Sequence, residues 1–130
     1  MVFSSINQRS SSIKIVQRLC EIARTSEKVA RCRVVAALVR RNKILAIGVN
    51  SYASVRLARR FSKHEMAQST HAEVAAIHDF LRRHDEDDLR SCTLYVCRVL
   101  QDGKTALAKP CRGCEAAIRK FGIKEVRYSE

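Results

Sequence analysis

The chain has 130 residues, a net charge of +12, an apolar fraction of 46%, one Pro and four Gly. That length suits one domain, large enough to bury a core without metals or disulfides as staples, and no apolar run approaches the roughly 18 residues that a membrane helix needs. The opening MVFSSINQRSSSIKIV lacks an apolar stretch behind a basic tip and a small-residue cleavage site, so no secretory leader and no membrane partner are expected, and the compartment is read as cytoplasmic and reducing.

From Ser12 onward Ile13, Val16, Leu19, Cys20 and Ala23 recur at spacings of three and four, which predicts a helix with one buried stripe. CRVVAALVRRNKILAIGVN then supplies two β-rich runs around Arg41-Asn42, a predicted hairpin with one central strand. Gly48 is read as relaxing the backbone near the end of the second strand. Residues 51–68 have poor periodicity and are read as a loop carrying Arg56, Arg59, Arg60 and Lys63.

That loop lies in the positive half of the molecule: residues 1–60 hold 13 Lys/Arg against 2 Asp/Glu, and residues 61–130 hold 12 against 11. Such a field draws phosphate on a nucleotide or on a nucleic acid. The four cations are therefore candidates for phosphate binding, with a solvated loop as the equal competitor.

The spacing of Val74, Ile77, Phe80 and Leu81 predicts a helix from about His71 to Arg83, followed by the acidic break HDEDDL. SCTLYVCRVL reads as a strand, Gln101-Asp102-Gly103 as a turn and KTALA as a return strand. Pro110 opens a helix to about Phe121, Gly122 ends it, and KEVRYS is the last strand. This order predicts one α/β domain over residues 1–130, a sheet covered by helices. In a reducing compartment the six cysteines argue for metal, catalysis or burial rather than disulfides, and Cys20, Cys32, Cys92 and Cys97 are expected to be buried. His64, His78 and His84 are expected to be exposed or packed.

Two short stretches carry chemistry. In STHAEVAAIHDF, Thr70 and Glu73 have the spacing of a capping box, but His71 could equally be a metal ligand with Glu73 as a proton carrier beside it. Lys109-Pro110-Cys111-Arg112-Gly113-Cys114 places two cysteines at a predicted helix start, where unpaired N–H groups and the helix dipole favour thiolate. Two thiolates and one imidazole form a three-ligand set suited to catalytic Zn²⁺. A structural site joining Cys92 and Cys97 to this pair is disfavoured. On one strand those two would stand about 16 Å apart, at about 3.3 Å per residue, on opposite faces.

The pairing of HAE with PCRGC resembles the zinc-dependent cytidine/deoxycytidylate deaminase superfamily. The similarity runs over about residues 30–129 and includes Gly48-Val49-Asn50 and the tail GIKEVRYS. It implies a three-layer α/β/α cytidine deaminase-like fold around a central mixed sheet, with His71, Cys111 and Cys114 on zinc and Glu73 as general acid/base. It also implies Asn50 and the backbone N–H of Ala72 as substrate contacts, and a homo-oligomer.

The expected reaction is zinc-dependent hydrolytic deamination of a free cytosine nucleotide, dCMP to dUMP first, or of cytidine or deoxycytidine, with release of ammonia. Deamination of single-stranded DNA or RNA is the rival, and a noncatalytic nucleic-acid-binding protein with structural zinc is the reading from another class. The chain has no Trp, four Phe and three Tyr, few stacking platforms for a polymer. Three departures stand out: a long gap from Glu73 to Pro110, a chain that stops at the fourth main strand where relatives add a fifth, and Gly113 where tRNA adenosine deaminases usually have methionine.

Overall fold

The computed structural model describes residues 1–5, 13–25, 32–51 and 70–130. These form one sheet and its helices: β1 (Val2–Ser5), α1 (Ile13–Thr25), β2 (Cys32–Arg40), β3 (Lys43–Val49), α2 (Ala72–Leu81), a 3₁₀ turn (Glu86–Ser91), β4 (Thr93–Leu100), β5 (Thr105–Ala106), α3 (Arg112–Lys120) and β6 (Glu125–Tyr128). The strand order is β1-β6-β4-β2-β3, with β5 paired to β4. The sheet is mixed, as expected. β2 runs antiparallel to β3 and β4, whereas β6 runs parallel to β4 and β1.

The period-2 pattern of the central strands sorts the core into two. Val35, Ala37 and Val39 of β2 and Tyr95, Cys97 and Val99 of β4 meet Ile15, Leu19, Cys20 and Ala23 of α1 on one face. Ala36 and Leu38 with Leu94 and Val96 meet α2 and α3 on the other, through Val74, Ile77, Phe80, Cys114, Ala117 and Ile118. This is the three-layer arrangement, and the side-chain alternation of a strand buried on both faces produces it. Of the predicted α2 core face, Val74, Ile77 and Phe80 are buried and Leu81 is half-buried.

The hairpin turns at Arg41 and Asn42, whose φ of 53° and 61° are the two positive values that a type I′ loop requires. Cys20 and Cys97 sit in the α1-side core with their sulfurs 3.1 Å apart. Burial, helped by the hydrogen bond with Cys20, pushes the Cys97 thiol up to about 12, so it is neutral. Cys92 is buried on the opposite side of the sheet, as the strand geometry required. The side chain of Cys32 lies outside the described residues. His78 is exposed, and His84 stacks on Phe80 with ring centroids 4.6 Å apart.

Two features differ from expectation. The sheet does not stop at β6: Val2–Ser5 pairs parallel along its outer edge, Val2 opposite Glu125 and Ser5 opposite Tyr128, with Phe3 against the α2/α3 core. Four residues reading VFSS carry no alternation to announce a strand, and it is β6 that makes them one. Second, Gly48 does more than loosen a strand end. An added Cβ would collide with the Ala76 nitrogen and the Ala72 oxygen and lie 2.7 Å from the Ala75 carbonyl carbon, so its role is close approach of the α2 backbone.

Asp79 locks the same contact further along. Its Oδ2 accepts the Ile47 N–H at 3.2 Å, and Arg83 holds both carboxylate oxygens at 2.9 and 2.8 Å. Replacing Gly48 by Ala forces α2 away from the sheet against backbone atoms that cannot swing aside. The expected outcome is a loss of at least about 1–3 kcal/mol, read as a lowered urea midpoint at an unchanged slope, with less loss of stability for Gly103→Ala, where nothing lies within 4 Å.

Candidate active site

The chain reaches the site by two arms. On the first, β3 ends in Asn50, whose backbone N–H donates to the Val34 carbonyl at 3.1 Å while its Oδ1 accepts the Val34 N–H at 2.9 Å. Ser51 and Thr70 then exchange both backbone hydrogen bonds, at 3.0 and 2.9 Å. This bridge fixes the point from which His71 enters α2. On the second arm, the Ala108 N–H donates to the Ser129 carbonyl at 2.9 Å, and two residues later buried Pro110 leads into Cys111.

His71 and Cys111 are themselves the N-cap residues of α2 and α3, both extended (ψ 151° and 173°) and neither making a side-chain cap bond. The capping-box reading is thereby corrected: with His71 at the cap, Glu73 sits at the second helical position, one short of where a reciprocal box needs it. The ligand-bearing side chains are released from capping and face one another. His71 Nδ1 stands 3.5 Å from the Cys111 sulfur and 3.3 Å from the Cys114 sulfur, and the three donor atoms lie within 4.8 Å of one another.

For a tetrahedral zinc with Zn–S of about 2.3 Å and Zn–N of about 2.0 Å, the N···S edge is about 3.5 Å, so the observed edges fit this ion. The donor set of two sulfurs and one imidazole could hold it with a fourth position left for substrate or water. His71 and Cys111 are exposed and Cys114 buried, so the cluster reaches the surface rather than lying inside the core.

Electrostatics divide the group. Hydrogen bonds from Cys114 and His71 hold the Cys111 thiol down at about 3, and the Cys111 hydrogen bond raises His71 above the usual imidazole value. Cys114 is pushed upward by its hydrogen bond to Cys111 and by burial. Glu73, 6% exposed, has its carboxyl raised by burial, opposed in part by backbone hydrogen bonding and by the charge of His71. A buried carboxyl whose pKa is raised in this way is suited to holding and returning a proton.

Ala72 is fully buried against β3, its N–H at the first helical position, where a helix has no internal acceptor for it. Lys109 carries its ammonium 5.7 Å from the Phe3 ring centroid. Arg56, Arg59, Arg60, Lys63 and His64 lie outside the described residues. The Ser51–Thr70 bridge, the Ser129 tether and the Gly48 contact were not anticipated. Of these, only Gly48 had a visible signal, a glycine inside a strand run.

Residues 9–130 match the family model of the cytidine and deoxycytidylate deaminase zinc-binding region. Among solved structures, the chain is similar to dCMP deaminase from the cyanophage S-TIM5 in apo form, with 20% identity over 95% of this chain and 83% of that one and a TM-score of 0.56. It is also similar to cytidine deaminase from Mycobacterium tuberculosis, with 15% identity over 91% and 84% and a TM-score of 0.55. A structure from a study of tRNA:A34 deaminases aligns with 21% identity over 93% and 75% and a TM-score of 0.52. Curated proteins give no significant match. At these identities the structures establish the fold, and the family rests on the model that spans nearly the whole chain.

Burial of Glu73 gives a pH signature. Because its folded pKa lies above the unfolded value of 4.5, the neutral acid's contribution is complete below that value and is lost as pH rises through the folded pKa. In chelator-treated protein, Glu73→Gln is therefore expected to raise the urea midpoint at pH 7–8, with the gain shrinking towards pH 4. A gain that is flat with pH, or a loss, would show that the carboxyl is not held neutral by burial.

Proposed function

The chain belongs to the cytidine and deoxycytidylate deaminase family, and from that premise we propose that it hydrolyses the exocyclic amine of a free cytosine nucleotide, dCMP first, giving dUMP and ammonia. The observation that carries this reading is the meeting of His71, Cys111 and Cys114 beside buried Glu73 at two helix starts. In it, His71, Cys111 and Cys114 hold zinc, which when bound supplies the Lewis acidity that makes water nucleophilic near neutral pH.

The rest is done by the chain. Glu73 accepts the proton of the attacking water on its carboxylate, passes a proton to the ring nitrogen next to the amino-bearing carbon, and delivers another to the departing amine. Water is consumed, the C–N bond breaks, and a carbonyl replaces the amine. The N–H of Ala72 at the start of α2 orients the ring, and Asn50, fixed through its Oδ1 to β2, turns its remaining polarity to the sugar or base. The cations Arg56, Arg59, Arg60 and Lys63, on the segment that leaves at Ser51 and returns at Thr70, are candidates for the phosphate.

Support for a mononucleotide over a polymer comes from the scarcity of aromatic residues, 5% with no Trp, and from Gly113 between the cysteines. The cyanophage relative, also described in complex with dCMP and dUMP, has a TM-score of 0.57 to this chain at 19% identity. The five described cysteines are thiols, in keeping with a reducing, cytoplasmic setting, and no helix among the described residues is long and apolar enough to cross a membrane. A homo-oligomer completes the reading, to be measured by sedimentation.

The test is amine-to-carbonyl conversion followed by mass spectrometry on dCMP, CMP, cytidine, deoxycytidine, adenine nucleotides, single-stranded DNA and tRNA. Conversion of a cytosine nucleotide is expected, with a drop of at least about 10³-fold in Glu73→Ala. Conversion confined to DNA or tRNA, or none in protein that holds zinc, overturns it. Zinc content of His71→Ala, Cys111→Ala and Cys114→Ala should fall far below that of the parent and of Glu73→Ala. Retention of zinc in all three would remove the ligand assignment.

A further inference from the structure

β4 carries an arginine where its register calls for an apolar residue. Leu94 and Val96 point to the α2/α3 core, and the pairing with β2 continues without a shift through Val34 opposite Arg98, so Arg98 leaves the sheet on that same face. Val34 packs against this core too. The neighbouring row, Gly48–Ala36–Val96, is where the first turn of α2 rests, because an added Cβ at Gly48 would meet Ala72 and Ala76. The next row towards the start of α2 is Asn50–Val34–Arg98, closed on the far side by Ala106 of β5.

Both arms that deliver the ligands are fastened to this row. Val34 holds Asn50, next to the Ser51–Thr70 bridge that introduces His71. The Arg98 N–H donates to Ser129 Oγ at 3.0 Å, and the carbonyl of the same serine holds Ala108, three residues before Cys111. Arg98 thus stands on the floor between the two arms. Its Nε is buried with no hydrogen-bond partner, and among the described residues no carboxylate pairs with it. Arg98 as a whole is half-buried, a guanidinium cannot neutralise itself by losing a proton, and a buried N–H donor left without an acceptor is costly.

We propose that Arg98 is the residue that recognises the 5′-phosphate of the substrate, making the enzyme selective for a nucleoside monophosphate over the free nucleoside. This rests on the nucleotide reading given above. The nucleobase and sugar are neutral, so the phosphate is the group on such a substrate that can balance a half-buried guanidinium, and its oxygens match the donor fork. Arg33 supplies an internal comparison. Its Nε is likewise buried without a partner, but it is one residue away on β2, hence on the α1 face, with its NH1 donating to the Arg24 carbonyl at 3.0 Å.

The experiment measures kcat/KM on dCMP, deoxycytidine and a single-stranded oligodeoxynucleotide for the zinc-loaded parent, Arg98→Gln, Arg98→Lys and Arg33→Gln, with zinc content and melting temperature of each. Arg98→Gln is expected to lower kcat/KM for dCMP roughly 10- to 100-fold, mainly through KM, and to leave deoxycytidine within about twofold. Arg98→Lys should keep part of the preference for the monophosphate, and Arg33→Gln all of it.

Equal losses on dCMP and deoxycytidine, or no loss on either, overturn the assignment. If Arg98→Gln does not fold or load zinc, Arg98→Lys decides: an unchanged dCMP-to-deoxycytidine ratio overturns it, a reduced ratio upholds it. A parent that converts neither monomer but acts on the oligonucleotide overturns the nucleotide reading itself. A parent active on dCMP whose preference survives in the Arg98 variants overturns the role of Arg98 alone.

Discussion

Where α2 crosses β3, two backbones lie against each other at Gly48, closer than any side chain would permit. Gly48 pairs with Ala36 on β2, so the helix rests on a floor of small groups, and its depth follows from the absence of a single methyl. His71 and Glu73 belong to the first turn of that helix. Their height over the sheet, and so the distance at which His71 meets the sulfurs of Cys111 and Cys114, is set by this contact before any metal chemistry is considered. The Asp79–Ile47 bond then prevents the helix from rolling.

The two faces of the sheet do different work. Beneath α1 the core is largely apolar, with the sulfurs of Cys20 and Cys97 packed 3.1 Å apart. On the opposite face the same strands support two helix starts, a buried carboxyl and an arginine that no carboxylate among the described residues pairs with. These are groups that a purely stabilising core would exclude. The groups offered for chemistry, His71, Glu73, Cys111 and Cys114, stand on this face, while the Gly48 contact and the apolar layers hold them in place, a separation between stability and reactivity that active sites commonly show.

Much of this was legible in the chain. The 3–4 spacing of Leu19, Cys20 and Ala23 and the pair Arg41-Asn42 mark elements whose causes are local, and they stand where the pattern puts them. HAE and PCRGC were legible for a different reason, since metal ligation restricts residue type and spacing together. What escaped depends on contacts between distant segments. Thr70 and Glu73 had the letters of a capping box, but pairing of Thr70 with Ser51 moved the cap to His71. Val2–Ser5 is a strand only because β6 offers an edge. Arg98 was within reach, as counting by two from Leu94 and Val96 puts it on the inner face, yet its meaning required knowing that Ser129 and Val34 tie both arms to its row.

The pairing of β1 with β6 also orders the folding process in time. Its partners, Val2 with Glu125 and Ser5 with Tyr128, are separated by nearly all of the chain, and closing so long a loop has an entropic cost that local hairpins such as β2–β3 avoid. Of the described elements β1 comes earliest in the chain, but the strand that receives it follows α3. The earliest of these strands in the chain thus waits for the latest before it can pair. A high proportion of such distant pairings slows folding relative to a helical protein of equal size, and the ligand cluster, drawn from two segments forty residues apart in the chain, closes within the same late stage.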